Sequence, residues 1–142
     1  IWIIRVLLDT NVVLDALLNR QPWNVQARAI WQAHLEDQVA AHMTATAVTD
    51  VLYVAHRVAG RDQAWRATRA CLDPLYLIAV GAAELQAAVT LGDRDFEDAL
   101  QIACAAASRL DAIVTRDLAG FVGSTVEAID PAELLNRIGA GN

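Results

Sequence analysis

The sequence predicts an α/β fold, a mainly parallel sheet of four or five strands with helices on both faces, making a three-layer α/β/α sandwich. Three observations carry that prediction. Short segments that are apolar throughout, without the alternation of a half-exposed strand, read as strands covered on both sides. They alternate with longer stretches in which apolar residues recur every three or four positions, which is the order of a parallel sheet. The 142 residues suffice for one hydrophobic core and fall short of two comfortable ones, so a single domain over 1–142 is expected.

The elements follow in order. Arg5 to Leu8 forms the first strand, and Asp9-Thr10-Asn11 supplies capping side chains for a helix over Val12 to Leu18. A second helix spans about Trp23 to Asp37, opened by Pro22, with Val25, Ala29, Ile30 and Ala33 as its buried face. Val39 to Met43 is a short strand. Thr44 or Thr46 then caps a helix that buries Val48, Val51, Leu52, Ala55 and Val58 and stops at Gly60. Another helix runs from about Asp62 to Leu72, and Asp73-Pro74 breaks it. Leu75 to Val80 reads as a buried strand, Gly81 leads into a helix ending near Leu91, and Asp95 caps an alanine-rich helix from Phe96 to Arg109. Asp111 to Thr115 and Val126 to Ile129 complete the strands, and Pro131 starts the last helix.

Composition narrows the function classes. Hydrophobic residues make up 56% and charged residues 20%, which excludes a disordered chain. The opening apolar run Ile1 to Leu8 is interrupted by Arg5 and ended by Asp9, so no membrane association is expected. Cys71 and Cys104 lack metal-ligand or CxxC spacing and read as buried thiols, which fits the cytoplasm. The net charge of −6 argues against a polyanionic partner, yet all 11 basic residues are arginine, and clustered acids neutralised by a cation reverse the objection locally.

Four aspartates stand out. Asp9 follows the first strand and Asp117 the fourth, where the crevice of an open parallel sheet lies, so both enter one crevice if those strands are neighbours. Each also suits a cap. Asp50 sits among apolar residues in a helix interior, a poor place for Asp, with a salt bridge to Arg57 as its plain structural alternative. Asp98 lies in the first turn of its helix with Asp93, Asp95 and Glu97, where Asp95 serves as cap and Asp98 either complements the helix dipole or acts as a ligand. Three or four converging carboxylates require a cation or protons, since two of them about 4 Å apart repel by roughly 4 kcal/mol at an effective dielectric near 20. An all-oxygen set selects Mg²⁺ or Mn²⁺.

The segments LLDTNVVLDALLNR (7–20), TATAVTDVLYVAHR (44–57), DFEDALQIACA (95–105), AIVTRDLAGF (112–121) and DPAELL (130–135), in this order, resemble the PIN domain family and its VapC-like toxin branch over nearly the whole chain. The resemblance implies an α/β/α sandwich and Mg²⁺- or Mn²⁺-dependent cleavage of RNA at Asp9, Asp50, Asp98 and Asp117. It also gives supporting roles to Thr10 and Asn11, and to Thr115 and Arg116, with Thr115 on a ligand or phosphate. Asp50 stands where Glu is common, and Gly120 replaces an Asp of the last motif. The biological setting implied is a toxin with a protein antitoxin, and an apolar surface would suit a homodimer.

Arg20, Arg57, Arg94 and Arg116 are the candidate phosphate contacts, against a surface role for each. His34, His42 and His56 are not spaced as metal ligands, and Trp23, Trp31 and Trp65 suit packing or an interface. Two rival readings remain: a binding module of the same fold without turnover, and a phosphotransferase using Asp9 as nucleophile. The second lacks a second Asp at Asn11 and any lysine.

Overall fold

The computed structural model describes residues 2–140; Ile1, Gly141 and Asn142, the ends of the expected domain, lie outside them. Five strands, β1 (Arg5–Leu8), β2 (Ala40–Thr44), β3 (Tyr76–Ile78), β4 (Ala112–Val114) and β5 (Glu127–Ile129), form one sheet in the order β3-β2-β1-β4-β5. Every pairing is parallel, with Leu7 opposite both His42 and Ile113. The helices are α1 (Thr10–Leu17), α2 (Asn24–Leu35), α3 (Ala45–Ala59), α4 (Arg61–Leu72), α5 (Ala82–Val89), α6 (Phe96–Ala107) and α7 (Pro131–Ala140), with a 3-10 turn at Leu118–Phe121.

The pleat sends successive residues of the central strands to opposite faces. Val6, Leu8, Ala112 and Val114 pack with α1, α2, α3, α4 and α7, whereas Leu7 and Ile113 meet Ile102 and Ala105 of α6. Ala88 of α5 adds a satellite cluster against Ala99, Leu100 and Cys104. Three layers result, as the apolar strand pattern requires. Cys71 and Cys104 are buried free thiols, and His34 is a core residue whose Nδ1 accepts from the Ala41 amide (3.0 Å). No helix among the described residues is long and apolar enough to cross a membrane.

Two expectations are corrected and one alternative is resolved. Val25 and Val58 are exposed, because α2 buries Ala27, Ile30, Ala33 and His34 and α3 buries Ala47, Val51 and Ala55. The segment read as a buried strand from Leu75 to Val80 is an edge strand in which Tyr76 and Leu77 are exposed, since β3 has a neighbour on one side only. Thr44, rather than Thr46, caps α3, its hydroxyl accepting from the Ala47 amide at 3.3 Å. Gly60 does end α3, at φ +85°, where a side chain would be strained.

Candidate active site

The strand order reverses its direction of growth between β1 and β4, and the crevice of such a sheet opens beyond the carboxyl ends of those strands. Asp9 leaves β1 and Asp117 leaves β4 at that point, and the Asp9 amide donates to the Val114 carbonyl (2.9 Å), tying the two exits together. Asp9 is also the N-cap of α1, so the capping and crevice positions coincide. Its carboxylate is 7% exposed and fully engaged. Oδ1 accepts from the Thr10 amide (2.7 Å) and Gln101 Nε2 (2.9 Å), and Oδ2 from the Thr115 hydroxyl (2.8 Å).

The other acids arrive from α3 and α6. Asp95 caps α6, its carboxylate accepting from the amides of Glu97 and Asp98, which leaves the Asp98 side chain free for the crevice. Burial pushes Asp98 up to about 6, the charges of Asp9, Asp95 and Asp117 add to the shift, and Arg94 offsets part of it. Burial likewise raises Glu97 to about 7, with the charge and hydrogen bond of Asp50 next, the charge of Asp9 adding and the Thr10 hydroxyl (3.0 Å) opposing. The charges of Asp9 and Asp117 therefore bear on Asp98, and those of Asp50 and Asp9 on Glu97.

Asp50 makes no ion pair with Arg57 among the described residues; its partner is Glu97. Glu97 is the acid that sequence reasoning left out of the site, having grouped it with an acidic helix entrance. Its position next to Asp98 gave the signal. Gln101, one turn further along α6, was missed because a glutamine at a buried position (2% exposed) carries no motif.

Thr115 is fully buried, and its hydroxyl donates to Asp9, one of the candidate ligands, and accepts from the Asp117 amide (2.9 Å), so it holds two acids in register. One supporting role is corrected. Arg116 was a candidate for phosphate, but its guanidinium lies over the Trp23 ring (3.9 Å) and pairs with Asp15 through Nε (2.6 Å) and Nη2 (3.3 Å). Arg20 shares that carboxylate through Nε (2.8 Å) and donates to the Asn11 carbonyl (3.2 Å). Asp15, 1% exposed, is thus the anchor of two arginines. Thr10 supports the site as expected, and the Asn11 Oδ1 is buried with no partner among the described residues.

Gly120 explains a departure from the motif. A methyl group placed on it would lie 2.6 Å from Asp98 Oδ2 and 3.3 Å from Asp117 Oδ2, so the Asp98 carboxylate fills the space a side chain there would take. Gly120→Ala is expected to displace the Asp98 carboxylate and weaken Mn²⁺ binding about tenfold, a typical cost for disturbing the residues around a ligand. Calorimetric titration checks this, and an unchanged affinity would show that the two carboxylates need no such closeness. Among the described residues no three acid, histidine or cysteine side chains are drawn together tightly enough to hold a metal ion as they stand.

Comparison with known proteins places this arrangement. Residues 5–119 match the family model described as PIN domain. No curated protein sequence matches the chain. Among solved structures it is similar to a chain of a toxin–antitoxin complex from Klebsiella pneumoniae, with 21% identity and TM-score 0.68 over 89% of this chain and 97% of that one. It is similar to Mycobacterium tuberculosis VapC20, titled a sarcin-ricin loop cleaving toxin, with 13% identity and TM-score 0.65 over 76% and 86%. A DNA-bound VapBC chain from Salmonella typhimurium gives 14% and 0.67 over 91% and 99%. At these identities the structures share the fold, and the family match, which covers most of the chain, shows that the chain belongs to the PIN domain family.

Proposed function

We propose that the protein is a Mg²⁺- or Mn²⁺-dependent endoribonuclease whose site is Asp9, Asp98 and Asp117 with Asp50 and Glu97. The observation that carries this reading is that Asp98 and Asp117 bring carboxylate oxygens to the same point of the backbone at Gly120, in a cavity lined also by Asp93 and Asp95. Such a donor set, oxygen only and mutually repelling, fits a hard divalent cation, which would draw the carboxylates inward. When bound, the cation supplies a Lewis acid for the phosphoryl oxygen and for water.

The chain's own residues do the rest. Asp9 offers oxygens fixed by Thr10, Gln101 and Thr115, so its geometry costs no reordering when RNA arrives. Asp98 and Asp117 flank the backbone at Gly120 and supply the opposing oxygens. Asp50 and Glu97 form a second acidic pair within the influence of Asp9 and would orient the attacking water, and hydrolysis would leave a 3′-hydroxyl and a 5′-phosphate.

The lack of a ready ligand set favours a second reading, a PIN-fold binding module with weak turnover or none. One experiment separates the two: RNA cleavage with and without Mn²⁺, comparing wild type with Asp98→Asn. We expect cleavage only with metal and only in wild type. The variant should also be more stable than wild type without metal, by about 1 kcal/mol or roughly 3 °C, because it removes a repelled charge. Metal-independent cleavage, or full activity in the variant, would refute the assignment.

Fold neighbours that are chains of toxin–antitoxin complexes support a toxin held by a protein antitoxin as the setting, and the proposal extends this to a homodimer acting in the cytoplasm.

A further inference from the structure

A cavity of about 450 Å³ lies between the start of α6 and the 3-10 turn, lined by Asp93, Arg94, Asp95, Asp98, Asp117 and Gly120 with Ala119 and Val122. Arg94 is its single cation. Although four carboxylates share the cavity wall, Arg94 forms an ion pair with none of them among the described residues. Its Nη1 donates instead to the Gly120 carbonyl (3.3 Å) and its Nη2 to the Val122 carbonyl (2.9 Å). A guanidinium has five N–H donors, and the two carbonyls leave the others unused. The Nε is one of these, buried and without a partner.

This differs from the other two arginines near the site. Arg20 and Arg116 are neutralised by Asp15 and committed to α1. Arg94 is held by the Gly120 and Val122 carbonyls and has no carboxylate partner among the described residues, and the same strap of backbone at Gly120 borders the Asp98 and Asp117 oxygens. A planar guanidinium fixed in this way presents a fork suited to phosphate oxygens.

We propose that Arg94 binds the RNA phosphate within the site, taking the non-bridging oxygens of the phosphate beside the acids, so that a side-chain cation does part of the neutralisation that carboxylate-bound metal does elsewhere in the crevice. This inference rests on the nuclease reading. It makes Arg94 a substrate-binding residue, distinct from the metal-holding acids, and it accounts for how a chain of net charge −6 admits a polyanion at its most acidic point.

The test measures binding of a short fluorescent single-stranded RNA in Ca²⁺ across a salt series, with Mn²⁺ affinity measured separately by calorimetry. Arg94→Gln is expected to weaken RNA binding about tenfold and to reduce the salt slope by about 0.7, the contribution of one phosphate contact on a single strand. Arg94→Lys should retain most of the slope, and Mn²⁺ affinity should not fall below the wild-type value in either, since removing a nearby positive charge does not weaken a cation site. If Arg94 only staples the strap, Arg94→Gln and Arg94→Lys will fall together in Mn²⁺ affinity with an unchanged salt slope, and the proposal is overturned. Wild-type protein that cleaves RNA normally alongside an unaltered Arg94→Gln sinks this inference alone, whereas wild type with no RNA binding removes the nuclease reading as well.

Discussion

Asp9→Asn should abolish metal-dependent RNA cleavage while leaving the protein folded. The substitution preserves shape and keeps Oδ1 as the acceptor for the Thr10 amide and Gln101. The new amide replaces Oδ2, and the Thr115 hydroxyl, which already accepts from the Asp117 amide, can turn to accept a second hydrogen bond. Hydrogen bonding therefore survives. What disappears is the charge common to both acid pairs, since Asp9 acts electrostatically on Asp98 and on Glu97 alike. Losing several kcal/mol of electrostatic stabilisation at the cation corresponds to a rate fall of about a thousandfold or more. Single-turnover cleavage assays at saturating Mn²⁺, with circular dichroism as the control for folding, provide the check. Activity within tenfold of wild type would remove Asp9 from the centre of the site.

Asp15→Asn should produce the largest loss of stability. The buried carboxylate compensates Arg20 and Arg116, whose side chains are about a quarter exposed (28% and 26%). Removing its charge leaves two partly buried guanidiniums facing a neutral amide. Breaking a fully buried pair costs about 3–5 kcal/mol, and partial hydration of the arginines reduces this to about 2–3 kcal/mol, or roughly 6–9 °C in Tm. Thermal denaturation of the metal-free protein reads it directly, and a shift under about 3 °C would mean that water already carries the arginines' charge. The clamp joins α1, the loop carrying Trp23 and the turn after β4, so its loss should also loosen Asp117.

Much of the architecture was readable from residue pattern alone, because a strand covered on both faces has to be apolar at every position, as Val6 to Leu8 and Ala112 to Val114 are. Edges are harder. Tyr76 and Leu77 are as apolar as a central strand, and only the sheet order shows that they face solvent. The faces of α2 and α3 were misjudged at Val25 and Val58 for a related reason: several apolar stripes fit a helical period, and neighbours decide which is buried.

In the site, Asp9 and Asp117 could be placed by their positions after strands, and Asp98 by its helix turn. Asp15 was open to the argument applied to Asp50, an Asp inside an apolar helix, but its partner Arg116 lies 101 residues away and no local pattern points to it. Asp50 had an apparent partner in Arg57, and the real neighbour, Glu97, comes from another helix.

The placement of β4 beside β1 has a bearing on biosynthesis. Asp9 is made before the strand that pairs with β1 and before the acid that follows that strand, Asp117. A nascent chain that has not reached β4 lacks one wall of the crevice. Completion of the candidate site is therefore deferred by the chain connectivity itself.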